Sequence, residues 1–175
     1  ETIEHLKLSP KTILDLGTGS GAIALSLATL FPTAEIVATD QSAEALKVAK
    51  INSELNHISN VHFIQSDWFE TMEPRHFDLI VSNPPYIDTN DPHLIDLAYE
   101  PLSALVAEDQ GLADFKSISE QALQFLKPDG ILIFEHGWQQ SEAVRIILND
   151  TGFTDVSTQK DLAGHDRVTW ARLKA

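Results

Sequence analysis

A chain of 175 residues without cysteine has the size of one domain, residues 1–175, and excludes a disulfide framework and thiolate metal sites. Its 12 Lys+Arg against 26 Asp+Glu give a formal net charge of −14, and so acidic a surface repels phosphate backbones and argues against direct nucleic-acid binding. Apolar runs such as GAIALSLATLF fall short of a membrane span and no basic n-region precedes one, so neither a signal peptide nor a transmembrane helix is read; a cytoplasmic, monomeric protein without membrane attachment is the expectation.

Taken in order, the elements alternate between strand-like and helix-like, which argues for an α/β sheet with helices on its faces. The opening ETIEHLKLSP enters directly on a helical pattern with no start methionine, as expected of a domain cut from a longer protein. TILDL (12–16) reads as a buried strand and GAIALSLATLF as a helix stopped by Pro32. EIVATD is a second strand ending at Asp40, followed by a helix from the N-cap Ser42 to about Asn56. VHFIQSD and FDLIVSN are the third and fourth strands. Residues 84–101, rich in Pro, Asp and Asn, read as a long loop, and such loops in compact domains are usually functional or disordered. A helix over 111–126 closes on KPDG, which is turn chemistry. ILIFEHG is a fifth strand and 140–150 a helix. FTDVSTQKD and RVTWARL alternate as a terminal hairpin.

Between the first strand and its helix, LDLGTGSGAIAL places Gly17, Thr18, Gly19, Ser20 and Gly21. Glycines let the backbone turn tightly and approach a ligand, and the following helix N-terminus offers unpaired N–H groups. Asp40 closes the next strand 19 residues after Gly21, where a carboxylate can accept from both ribose hydroxyls of an adenosine. Gly17, Gly19 and Ala22 also satisfy the dinucleotide pattern G-x-G-x-x-G/A, so NAD competes. Asp15 would repel a pyrophosphate and suits a ligand with positive charge, such as the amino-acid end and sulfonium of S-adenosyl-L-methionine. The D-x-G-x-G-x-G pattern resembles motif I of the class I methyltransferases, a Rossmann-like, mostly parallel sheet of seven strands ending in an antiparallel hairpin. In that superfamily the end of the third strand, here Asp67 and Trp68, contacts adenine. An acid accepts from the adenine amino group and an aromatic covers the ring; a half-buried core aromatic is the plainer reading of Trp68.

The fourth strand ends in Asn83-Pro84-Pro85-Tyr86. Each proline biases the residue before it towards an extended backbone and has no N–H. The corner therefore offers the Asn83 side-chain oxygen and the Pro84 carbonyl as stiff acceptors with few donors nearby. That suits a planar NH2 group, with Tyr86 lying against its flat face. Fixing both hydrogens aims a poorly nucleophilic nitrogen at a methyl carbon and stabilises charge as it develops. Asn83, Pro84 and Tyr86 are the candidate catalytic groups, and Asn83 to Tyr86 the candidate substrate site.

The corner resembles that of methyltransferases acting on exocyclic or amide nitrogen. NPPYID, YEPLSALVAEDQGL, FEHGWQQ and KDLAGHDRVTWARL together resemble the HemK/PrmC family, which methylates the amide of the glutamine in the GGQ motif of peptide chain release factors. The likeness runs over essentially the whole chain. It implies that Gly17 to Gly21, Asp40, Trp68 and Asn83 contact S-adenosyl-L-methionine, that Asn83 to Tyr86 hold the glutamine amide, and that release factors are the partners. It also implies a missing N-terminal helical domain and hairpin, so this fragment is expected to bind cofactor but methylate weakly. Glu100 and Pro101 belong to the family's segment after the long loop. Glu135 at the end of the fifth strand is a general base or, more simply, a structural partner. His57, His62 and His76 read as surface or loop residues and His136 as support for the EHGW turn; no metal site is expected. A nucleic-acid amino methyltransferase shares the corner, and an NAD-binding or non-catalytic Rossmann module would leave it unexplained.

Overall fold

The computed structural model describes residues 6–88, 106–107 and 111–174. The elements are β1 (Thr12–Leu16), α1 (Ala22–Leu30), β2 (Glu35–Asp40), α2 (Ala43–Leu55), β3 (Val61–Gln65), β4 (Phe77–Ser82), β5 (Ile87–Asp88), β6 (Val106–Ala107), α3 (Ala113–Ala122), β7 (Leu126–Glu135), α4 (Ser141–Thr151), β8 (Thr154–Lys160) and β9 (Asp166–Arg172). Seven strands form one sheet in the order β3-β2-β1-β4-β7-β9-β8. All its pairs are parallel except β7 with β9 and β8 with β9. The expected α/β sheet with its terminal hairpin is therefore present.

Alternation along the strands divides the core between the two faces of the sheet. Leu14, Leu16, Ile80, Leu132 and Phe134 pack with Phe115, Ile118, Val144 and Leu148 of α3 and α4. Ile13, Ile36, Leu79, Val81, Ile131 and Ile133 pack with Ala24, Leu25, Leu27 and Ala28 of α1. Central strands buried on both faces explain why TILDL and FDLIVS read as apolar runs rather than alternating ones.

Local chemistry sets the helix ends. Ser42 is extended and its hydroxyl accepts from Ala45 N at 3.1 Å, capping α2. α4 closes on Gly152 at φ 102°, a left-handed stop.

Two expectations need correction. The helix over 111–126 is shorter, Ala113–Ala122. KPDG is no turn between helix and strand: it lies inside β7. There Phe77 pairs with Leu126 but Leu79 already pairs with Ile131. The extra residues bulge, with Asp129 at φ 63°. A bulge and a turn use the same residue types, so KPDG signals either one. The two-residue parallel pair β5–β6 was not anticipated. The opening segment 1–5 and most of the expected loop over 84–101 lie outside the described residues.

Register brings the strand ends level. Leu16 stands opposite Thr39 on one side and Ser82 on the other, and Asp40 stands opposite Gln65. The chain runs outward from β1 to β3, then returns to place β4 on the other flank of β1. That reversal is a switch point, and ligands in open α/β sheets sit outside the carboxyl ends of the strands there.

Candidate functional site

The loop after β1 is held from several directions. Thr18 N donates to Thr39 O at 2.8 Å and Asn52 Nδ2 donates to Ser20 O at 2.9 Å. All three loop glycines have positive φ, but each meets something different. A Cβ on Gly17 would stand 3.3 Å from the Trp68 ring, and one on Gly21 would stand 3.1 Å from the Ala49 Cβ of α2. A Cβ on Gly19 would meet nothing within 4 Å. Gly21 thus serves helix packing, whereas Gly19 borders open space.

Asp15 and Asp40 are both wired into this loop. Asp15 is fully buried. Its Oδ2 accepts from Thr18 Oγ1 at 2.7 Å and from Ala24 N at 3.0 Å. Its Oδ1 is buried with no partner among the described residues. Burial lifts the Asp15 carboxyl to about 7, with the Asp40 charge adding and the Thr18 and Ala24 bonds opposing. The repulsion expected of Asp15 towards a pyrophosphate is therefore only about half developed at neutral pH. Asp40 accepts from Gly19 N and Ser42 N, both at 2.8 Å, one on each oxygen. A carboxylate has about four acceptor positions, so lone pairs remain for a ligand.

Trp68 is half-buried, packs on the α3–α4 side of the core and sits at φ 44°. A bulky residue with positive φ is a genuine outlier, and such strain gathers at ligand sites. Asp67 beside it is exposed. Sequence reasoning missed Asp114 on α3. Burial raises its carboxyl, the Asp67 charge raises it further, and a hydrogen bond from Trp68 opposes both.

Asn83 follows Ser82, which pairs with Leu16 and donates to Leu16 O at 2.9 Å. The corner therefore begins beside Gly17. Asn83 is exposed, Pro84 buried, and Pro85 and Tyr86 half-buried. The Asn83 side chain makes no hydrogen bond to the described residues, so its acceptor is unspent. The Tyr86 carbonyl accepts from Gln140 Nε2 at 2.9 Å, an anchor that no period or motif in the sequence signalled.

Around the corner, His136 is fully buried. Nδ1 meets Gly137 O at 2.9 Å and Nε2 meets Thr169 Oγ1 at 2.8 Å. A carbonyl only accepts, so Nδ1 carries the hydrogen and the Thr169 hydroxyl donates to Nε2. Burial lowers the His136 pKa and keeps the ring neutral. It supports the EHGW turn, as its position suggested. Glu135 is half-buried at the end of β7. His57, His62 and His76 are exposed. Among the described residues no three His, Cys, Asp or Glu gather to hold a metal ion. None of the described helices is long and apolar enough to cross a membrane. Glu100 and Pro101 lie outside the described residues.

The geometry therefore joins the glycine loop, Asp40, Asp67, Trp68 and the Asn83 corner along one sheet edge. An unpartnered buried oxygen, open space at Gly19 and an indole over Gly17 fit an adenosine-bearing ligand.

Known proteins resemble this chain in sequence and in fold. The family model described as "Methyltransferase domain" matches residues 7–170. The chain is 48% identical over 175 residues to the release factor glutamine methyltransferase of Salmonella typhimurium, covering 99% of this chain and 63% of that protein. It is 53% identical over 169 residues to the protein of the same name from Pasteurella multocida, covering 90% and 56%. The chain thus spans less than two thirds of these relatives' length. A crystal structure of a methyltransferase from Pyrococcus furiosus superposes with a TM-score of 0.75 at 21% identity, covering 99% of this chain and 79% of that one, and shares the fold.

Proposed function

The chain belongs to the methyltransferase-domain family, and from that premise we propose that it methylates the side-chain amide nitrogen of the glutamine in the GGQ motif of peptide chain release factors. Its cofactor in this reading is S-adenosyl-L-methionine, and one domain carries the reaction. The observation that carries it is the unspent acceptor of Asn83, one residue beyond the Ser82–Leu16 pair and beside the glycine loop. The printed names of the relatives supply the substrate class.

When bound, S-adenosyl-L-methionine supplies a methyl carbon made electrophilic by the sulfonium. Asp40 accepts from the ribose hydroxyls with the lone pairs that Gly19 and Ser42 leave over. Gly17, Thr18, Gly19, Ser20 and Gly21 cradle the amino-acid end, and the buried Oδ1 of Asp15 faces that charge. Trp68 covers adenine, and Asp67 accepts from its amino group.

At the corner, Asn83 Oδ1 and the Pro84 carbonyl accept the two hydrogens of the glutamine amide. An amide nitrogen is a weak nucleophile because its lone pair is delocalised. Holding both hydrogens orients that lone pair and stabilises the positive charge that develops on nitrogen. Tyr86 lies against the amide plane and Pro85 keeps the backbone stiff. The proton leaves to solvent after transfer, so no strong base is required. Pro84 has no N–H to compete for either acceptor.

Mass spectrometry of a release factor incubated with the protein and cofactor tests this, with one added methyl on the GGQ glutamine expected. Labelled cofactor offered with DNA or RNA is the control arm, and label there instead would replace the substrate. Because the relatives are longer, the assay is run beside a chain of their length.

A further inference from the structure

We propose that Gln140 is a positioning residue for this reaction: its carboxamide clasps the far end of the Asn83–Tyr86 corner and sets the direction of the acceptors. The inference rests on the transfer chemistry proposed above.

Gln140 precedes α4 and uses both ends of its amide. Nε2 donates to Tyr86 O at 2.9 Å, while Oε1 accepts from Gly137 N at 3.0 Å. Turning the amide over would set acceptor against acceptor and donor against donor, so the orientation is determined. Gly137 is itself anchored. Its carbonyl accepts from His136 Nδ1, His136 Nε2 accepts from Thr169, and the Thr169 and Thr158 hydroxyls meet at 2.8 Å. A hydrogen-bonded line therefore runs from the β8–β9 ladder through a buried neutral ring to the Tyr86 carbonyl.

The backbone around this clasp is tight. A side chain on Gly111, at φ 78°, would overlap the Tyr86 carbonyl and stand 2.8 Å from Gln140 Nε2. A Cβ on Gly137 would stand 2.8 Å from Gln140 Oε1. At Gly111, which meets backbone, only glycine allows this approach, while a side chain at Gly137 would push the Gln140 amide aside. At its near end the corner is held by β4, where Ser82 pairs with both Leu16 and Phe134. Between the two anchors Pro84 and Pro85 stiffen the chain. With both ends held, the stiff segment holds its two acceptors in one direction; released at Tyr86, it swings about Ser82.

Three measurements test this on the protein and on Gln140→Ala and Gln140→Glu. In Gln140→Ala, kcat for release-factor methylation should fall on the order of 10- to 100-fold. KM for the release factor, melting temperature and S-adenosylhomocysteine affinity should stay near the parent's. Gln140→Glu keeps an acceptor for Gly137 but turns an anion on the Tyr86 carbonyl. It should be poorest in alkaline buffer and recover relative to the parent in acid, where the protonated carboxyl donates again. The third measurement needs no substrate. Tyr86 and Tyr99 are the two tyrosines, so fluorotyrosine labelling gives two NMR lines, assigned with Tyr99→Phe, and Gln140→Ala should shift or broaden the Tyr86 line. Unchanged kcat with an unchanged Tyr86 line overturns the clasp, as does a loss of rate that merely follows lost melting temperature and cofactor affinity. If the parent transfers no methyl to a release factor but Gln140→Ala still disturbs the Tyr86 line, the clasp stands and the substrate reading falls.

Discussion

In the proposed reading Asn83, Asp40 and Asp15 meet a ligand through different parts of their chemistry, so their substitutions should separate. Asn83→Ala removes one acceptor of the substrate amide and leaves the loop intact. Transfer should be lost, with at most a partial fall in S-adenosylhomocysteine affinity by calorimetry. Near-normal turnover would refute the role given to the corner. Asp40 holds Gly19 N and in the proposed reading also faces the ribose, so Asp40→Ala should weaken cofactor binding by the worth of charge-assisted hydrogen bonds, roughly 1.5–3 kcal/mol. Asp15, at about 7, should ionise fully when a cationic ligand settles beside its Oδ1. Binding at neutral pH should then release about half a proton, read as a dependence of the calorimetric heat on buffer ionisation enthalpy. Heat independent of buffer would mean that Asp15 does not sense the ligand's charge.

At the scale of elements, the join between β1, α1 and α2 carries the site. Gly21 precedes α1 in a left-handed conformation at φ 87°, with Ala49 of α2 packed against it. Gly21→Ala should cost about 1–2 kcal/mol from backbone handedness alone, with the contact at Ala49 adding to it. The urea midpoint should drop with an unchanged slope. Gly19→Ala meets the same backbone cost but no neighbour, so it should be the milder of the two for stability and the harsher for cofactor affinity. The β7 bulge belongs to the opposite end of the sheet. There Asp78 accepts from Lys11 N and Thr12 N and pairs with Lys127 at 2.9 Å. That knot secures β1 and β4 at their starts and helps keep their far ends in register.

For the whole molecule, two carboxyls shape the response to pH in opposite senses. Asp15 titrates near 3.8 when unfolded and at about 7 when folded. Between those values the native state holds a proton that the unfolded state has lost. Stability therefore falls as pH rises from about 4 to 7, by on the order of 4 kcal/mol, and levels off above. Burial pushes Asp78 up, but Lys127, the Lys11 and Thr12 amides and the Thr12 hydroxyl outweigh it and bring it to about 2. Its contribution is complete above the unfolded value and lost as pH falls from about 4 through 2. From these two groups alone stability should peak near pH 4. Asp15→Asn should erase the fall between about pH 4 and 7 in urea titrations; an equal fall in the variant would assign it elsewhere.

Much of this protein was legible before folding because each signal was local. TILDL and FDLIVS are apolar runs, Ser42 is a helix cap, and the glycine loop and two-proline corner are backbone chemistry written in adjacent residues. The sequence determined the chain order of the seven strands of the main sheet and of the helices between them, and it suggested both halves of the candidate site. Folding decided what depends on neighbours far along the chain. Only the register of β1 against β4 sets Asn83 beside Gly17, and only packing raises Asp15 to about 7. KPDG became a bulge because β4 lies alongside it. Gln140 gained its part from Tyr86, 54 residues away, and no periodicity carries a contact of that range.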